Sequence, residues 1–213
     1  GFDINAGKNL PEIIKKSKTV PADKDWEFIA KLSLVLRDAM FGNPKLDELG
    51  WHEEALGKNA VAGGFQGQRA WTDWLPNCDF TEAIMASTFD WNGPRQPTAF
   101  ATENDTLNGL SMLLGTLITN VAPCFHDVRT YWSPDAVERV SGWKPDGKAA
   151  QGFIHLINSG ATALDGTGAA KNEKGEGCMK PFWEMTDADI KACLEATDWQ
   201  RANYEYFRGG GFS

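Results

Sequence analysis

The chain has 213 residues, 42% of them hydrophobic and 23% charged, a globular composition long enough for one large domain or parts of two. A formal net charge of -8 and a pI near 4.9 argue against a nucleic-acid partner, because phosphate binding relies on clustered Lys and Arg. The one basic run, Lys15-Lys16-Ser17-Lys18, reads as a solvated helix end, and the longest apolar run, Leu110 to Ile118, is far below the roughly 20 residues of a membrane span.

Four cysteines, Cys78, Cys124, Cys178 and Cys193, are scattered without a CxxC or a His at zinc spacing and read as reduced cytosolic thiols. Nine Trp and twelve Phe serve either as core or as platforms for the C-H faces of sugars, and their number alone does not choose. The chain opens on Gly1 and stops within Arg208-Gly209-Gly210-Gly211-Phe212-Ser213, which is read as an interior piece of a longer protein.

In chain order, Trp26, Ile29, Leu32, Leu36 and Met40 recur at spacings of three and four, which predicts an amphipathic helix closed by Gly42-Asn43-Pro44. A second helix is expected over His52 to Ala62, broken by Gly63-Gly64. Gly64-Phe65-Gln66-Gly67-Gln68-Arg69 then sets amides among glycines, either for close approach to a ligand or for tight packing. Phe80 to Ala86 reads as a short helix and Phe89 to Pro94 as a turn.

Thr98 to Thr102 is predicted as a buried strand, with Asp105 capping a helix through Leu117. Beyond Asn120 the segments Val121 to Phe125, Val128 to Tyr131 and Gly152 to Ile157 are β-rich, and Ser133-Pro134 starts a short helix. Residues 160 to 178, rich in Gly, Ala and charge, read as an exposed loop, and Thr186 caps a helix through Ala196. The fold class is α/β: the C-terminal part of a Rossmann-like open α/β domain over 1–118, then the start of a more β-rich α+β domain over 119–213.

Two carboxylates stand out. Glu103, in Ala101-Thr102-Glu103-Asn104-Asp105, lies between a predicted strand end and a helix start, where open α/β sheets bind ligands. Asp127 opens Asp127-Val128-Arg129-Thr130-Tyr131-Trp132, with Arg129 on its own face to hold it in place. Such a pair binds a hard divalent cation, Mn or Mg in preference to zinc, or moves protons. An ion on adjacent sugar oxygens together with two carboxylates suits aldose-ketose isomerisation. A glycoside hydrolase also needs a carboxylate pair, and a non-catalytic sugar-binding protein uses similar residues, so both readings stay open. His126 is taken as structural or supporting, and His52 and His155 as packing or hydrogen-bonding residues. Asp73, Asn104 and Asp105 are explained by turns and capping.

Taken together, Glu53-Glu54-Ala55-Leu56-Gly57, the segment from Gly64 to Asp73, Phe89-Asp90-Trp91-Asn92-Gly93, the segments around Glu103 and Asp127, His155-Leu156-Ile157-Asn158-Ser159-Gly160 and Glu205-Tyr206-Phe207-Arg208-Gly209-Gly210-Gly211 resemble the L-fucose isomerase family along the whole chain. The resemblance implies a Mn2+-dependent enzyme interconverting L-fucose and L-fuculose, and D-arabinose and D-ribulose, through an enediol. It implies that Glu103 and Asp127 bind the metal and act as acid/base catalysts, and that Gln66, Ser159 and Tyr206 line a small-molecule aldose substrate. It further implies a cytoplasmic homohexamer. The family's third metal ligand is a His expected beyond Ser213, so the piece alone is expected to have little or no activity.

Overall fold

A computed structural model describes residues 23–66, 78–158 and 162–197. These residues fall into two compact units, one running to Phe125 and resuming after Ser159, the other spanning His126–Ser159. The chain is mixed α/β, and its described strands form four two-stranded pairs.

Helix α1 (Asp23–Phe41) buries Trp26, Ile29, Ala30, Ser33 and Met40, the face its apolar spacing predicts. It stops at Gly42, whose φ of +82° suits glycine and where a Cβ would lie 2.7 Å from the Leu56 carbonyl oxygen. Asn43 then caps α2 (Pro44–Glu48), its side chain accepting the Lys45 amide at 3.0 Å. Helix α3 (His52–Leu56) is shorter than expected. Gly57 and Asn59 take left-handed backbone angles that end it, and Ala62–Gly64 leaves the helix altogether to form strand β1.

Helix α4 (Asp79–Ala86) is buried along its whole length, and Trp26 meets Phe80 edge-on with ring centroids 5.0 Å apart. The expected turn over Phe89 to Pro94 is a minimal hairpin of β2 (Phe89–Asp90) and β3 (Gly93–Pro94). Asp90 fixes it: Oδ1 accepts the Asn92 amide at 2.7 Å, and Oδ2 faces Arg37 Nη1 at 3.3 Å and Arg95 Nε at 3.2 Å. Burial lowers the Arg95 pKa to about 10, with the neighbouring Asp90 opposing that shift.

Strand β4 (Ala99–Ala101) pairs parallel with β1 in the register Ala62↔Ala99, Gly63↔Phe100, Gly64↔Ala101. Helix α5 (Thr106–Thr119) follows, with Asp105 accepting the Asn108 amide at 3.1 Å, as its capping role predicts. Gly109 and Met112 face inward, while Leu107, Leu110, Leu114, Leu117 and Ile118 are exposed. Val121 to Phe125 is not a strand: among the described residues none pairs with it, and it runs irregularly, burying Ala122 and Phe125 in the first unit's core.

The second unit is built on the antiparallel pair β5 (Asp127–Trp132) and β6 (Phe153–Ile157), in which Arg129 is the extra residue of a bulge. Helix α6 (Pro134–Ser141) begins at Ser133, which accepts the Ala136 amide at 3.3 Å.

Of the exposed loop expected over residues 160 to 178, residues 171–177 are exposed, but 162–170 are largely drawn inward. Ala163, Asp165 and Ala170 are buried, a 3-10 turn spans Leu164–Thr167, and β7 (Ala170–Lys171) pairs with β8 (Gly177–Cys178). Asp165 ties this segment to Thr88, whose hydroxyl donates to it at 2.8 Å; burial pushes the Asp165 carboxyl pKa up, and that bond opposes it. Helix α7 (Asp187–Ala196) starts in a full capping box between Thr186 and Asp189. One core therefore joins Trp26, Ile29, Phe80, Ile84 and Phe89 to Ala170, Met185, Cys193 and Leu194.

Asp189 gives a pH test. Burial raises its pKa, but Lys180 at 2.9 Å and the Thr186 hydroxyl and amide outweigh that and hold it at about 2. A depressed carboxylate contributes stability above its unfolded pKa of about 4 and loses it as the pH falls towards 2. Asp189→Asn is expected to cost about 2 kcal/mol at pH 7, with the gap to the parent protein closing between about pH 4 and pH 2 in urea titrations followed by tryptophan fluorescence.

Candidate functional site

The parallel register decides what stands at the strand ends. Because Gly64 pairs with Ala101, β1 and β4 finish level, and Gln66 and Glu103 each follow two residues beyond. Both are exposed at the carboxyl edge of the pair, the position where α/β sheets take ligands.

Small residues make that pairing close. A Cβ on Gly63 would meet the Phe100 ring at 2.8 Å, and one on Gly64 would lie 2.8 Å from Asn104 Cα. Ala99 and Ala101 pack on Met112 and Phe125, with Ala62 against them.

Glu103 sits in a 3-10 turn, Thr102–Asn104, with φ +57° and ψ +18°, and Asn104 also has φ +57°. Left-handed geometry at a glutamate costs about 1 kcal/mol or more and survives only where the surroundings enforce it. Among the described residues its carboxylate makes no hydrogen bond or ion pair. Behind it, Thr102 is 1% exposed and donates its hydroxyl to Glu82 Oε2 at 2.9 Å; Glu82, on α4, is itself 1% exposed. The nearby Cys78 thiol is pushed up by burial first and by the charges of Glu82 and Asp79 next.

Asp127 belongs to the second unit. It is half-buried at the start of β5, where Arg129 Nη2 approaches its Oδ2 at 3.3 Å, so Arg129 meets the expectation of holding that carboxylate. His155 lies on the partner strand and accepts from Trp132 Nε1 at 3.4 Å, a hydrogen-bonding role as expected, and His52 pairs with Asp47 at 2.5 Å. Ser159 and Tyr206 lie outside the described residues. A cavity of about 380 Å³ between α1, α2 and α3, lined by Val35, Asp38, Leu46, Trp51, Glu53 and Lys58, contains none of the predicted site residues. Glu82 was not singled out from the sequence, and Thr102 only as a strand end; the available signal was a lone Glu inside a short, otherwise mostly apolar helix.

The first unit thus presents an exposed carboxylate and an amide at one strand edge, and the second unit, taken by itself, holds a carboxylate beside Arg129. Residues 2–120 match the family model described as L-fucose isomerase, second N-terminal domain. Over all 213 residues the chain is 72% identical to the L-fucose isomerase of Clostridium perfringens, covering 36% of that protein. It is 59% identical over 206 residues, 97% of the chain, to the L-fucose isomerase of Phocaeicola vulgatus, of which it covers 34%. The L-fucose isomerase of Streptococcus pneumoniae strain P1031 is 58% identical over 191 residues, 90% of the chain and 32% of that relative. The chain belongs to the L-fucose isomerase family. It spans about a third of the length of the curated relatives it matches.

The strained turn yields a stability test. Glu103→Gly relieves the left-handed penalty and is expected to stabilise the protein by about 1 kcal/mol, while Gly64→Ala, forced against Asn104, costs at least about 2 kcal/mol. Thermal melts followed by circular dichroism check both.

Proposed function

We propose that this chain is part of an aldose-ketose isomerase that interconverts L-fucose and L-fuculose, and D-arabinose and D-ribulose, with Glu103 and Asp127 as its two working carboxylates. The observation that carries the proposal is the 72% identity to an L-fucose isomerase over all 213 residues of the chain. Membership of the family gives this reading precedence over a glycoside hydrolase or a sugar-binding protein.

The residues present suit a Mn2+ ion in their donor chemistry. Glu103 offers an exposed carboxylate with no competing partner among the described residues, and Asp127 is oriented by Arg129; both present hard oxygen. By family resemblance a further donor, a His expected beyond Ser213, completes the set. When bound, the ion supplies Lewis-acid polarisation of the sugar carbonyl and of the oxygen beside it.

The carboxylates carry the proton. One takes it from C2 of the open-chain aldose, the other returns a proton to C1, and the hydroxyl proton passes from O2 to O1, so aldose and ketose interconvert through an enediol with no net change in atoms. Gln66, on the same edge as Glu103, hydrogen-bonds sugar hydroxyls, and Ser159 and Tyr206 line the remainder of the substrate.

The same reading assigns 1–118 to the end of a Rossmann-like α/β domain and 119–213 to the start of a β-rich domain; the family model ending at residue 120 supports that division. It also makes the protein a cytoplasmic homohexamer, and the piece alone inactive. Among the described residues no helix is long and apolar enough to cross a membrane.

The test is ketose formation from L-fucose and D-arabinose by the full-length protein, with Mn2+ and with chelator. Chelation is expected to abolish turnover, and Glu103→Gln and Asp127→Asn each to lower kcat by roughly 100-fold or more. Chelator-insensitive hydrolysis of glycosides would overturn the reading in favour of a hydrolase. Sugar binding with no turnover would favour a binding protein.

A further inference from the structure

Building on the proposed function, we infer that Glu82 is a positioning residue that acts through Thr102 to hold Glu103 in its working conformation. Glu103 and Asn104 are consecutive left-handed residues without the conformational freedom of glycine, so the turn must be over-determined by its neighbours. Three contacts do this. Gly64 leaves no room for the turn to shift towards β1, since even a Cβ there would reach Asn104 Cα at 2.8 Å. The Asp105 amide closes onto the Thr102 carbonyl at 3.2 Å, while the Asp105 side chain caps α5 at the Asn108 amide.

The third contact is made by a buried carboxylate. Glu82 Oε2 accepts the Thr102 hydroxyl at 2.9 Å, and both side chains are 1% exposed. A carboxylate is expensive to bury on a core helix, and a fold that needed only to fill this space would do so with an apolar side chain. Here the carboxylate sets the side-chain rotation of Thr102 and anchors the backbone at the residue immediately before Glu103. Hydrogen bonds of this kind, one step behind a ligand, orient it and typically carry 10- to 100-fold in metal affinity or activity.

The experiment uses the full-length protein and reads Mn2+ binding by electron paramagnetic resonance alongside turnover on L-fucose. Thr102→Val removes the hydroxyl at nearly constant volume and is expected to weaken Mn2+ binding and lower kcat by roughly 10-fold or more, with a smaller effect on KM. Thr102→Ser, which keeps the hydroxyl, is expected to stay within about 3-fold of the parent. Glu82→Gln keeps an acceptor for the hydroxyl and is expected to fall between the two. The separating measurement is Thr102→Val in a Glu103→Gln background. Positioning through Glu103 predicts that the loss of Mn2+ affinity seen in the parent largely disappears there, whereas a general packing defect would persist. Parent-like Mn2+ affinity and kcat in Thr102→Val, or an undiminished loss in the Glu103→Gln background, would overturn the inference. A parent protein with no isomerase turnover would instead overturn the proposed function, so the two failures are distinguishable.

Discussion

The close parallel pairing of β1 with β4 is the constraint on which the candidate site depends. Two glycines on one strand and alanines flanking Phe100 on the other bring the backbones together in a register where Gly64 faces Ala101. The register ends both strands at one level, so the segments beyond them leave from a common edge. It also leaves no space beside Asn104, and the chain must turn through an unfavourable left-handed conformation before α5 begins. Glu103 is at that turn. Strain, strand register and the exposure of a carboxylate are three consequences of the same small-residue contact.

Much of this was legible in the sequence where a local rule and the tertiary structure agree. The spacing of Trp26, Ile29 and Met40, the caps at Asp105 and Thr186, and the position of Glu103 between a strand and a helix all follow from side-chain chemistry within a few residues. The misreadings occur where distant contacts decide. Composition marks residues 160–178 as surface, which holds for 171–177, but Asp165 reaches Thr88 across 77 positions and draws the first half of the segment towards the core. The β-rich composition of Val121 to Phe125 suggests a strand, yet Pro123 lacks an amide to donate to a ladder and only a neighbouring edge makes one. The helix expected to reach Ala62 stops early because Gly57 and Asn59 adopt left-handed angles that a count of apolar residues does not register.

The site shows the same division. The two carboxylates were visible because they stand at the borders of recognisable segments, and Arg129 because it shares the short β5 segment with Asp127. The conformation of Glu103 left no trace in the sequence, since glutamate has no preference for the left-handed region. Glu82 was hidden for another reason: a charged residue on a short amphipathic helix ordinarily faces water, and only packing reveals that this one does not.

The core that unites Trp26 and Phe80 with Met185, Cys193 and Leu194 also sets a timetable for synthesis. At the usual 5–20 residues per second, the apolar faces of α1 and α4 emerge roughly 10 s before the last side chains that cover them. For that interval the nascent chain carries aromatic surface that α1 and α4 cover only in part by packing on each other. Its yield in a cell is therefore governed by how well the ribosome and its attendant chaperones shield this surface while α7 is still being made.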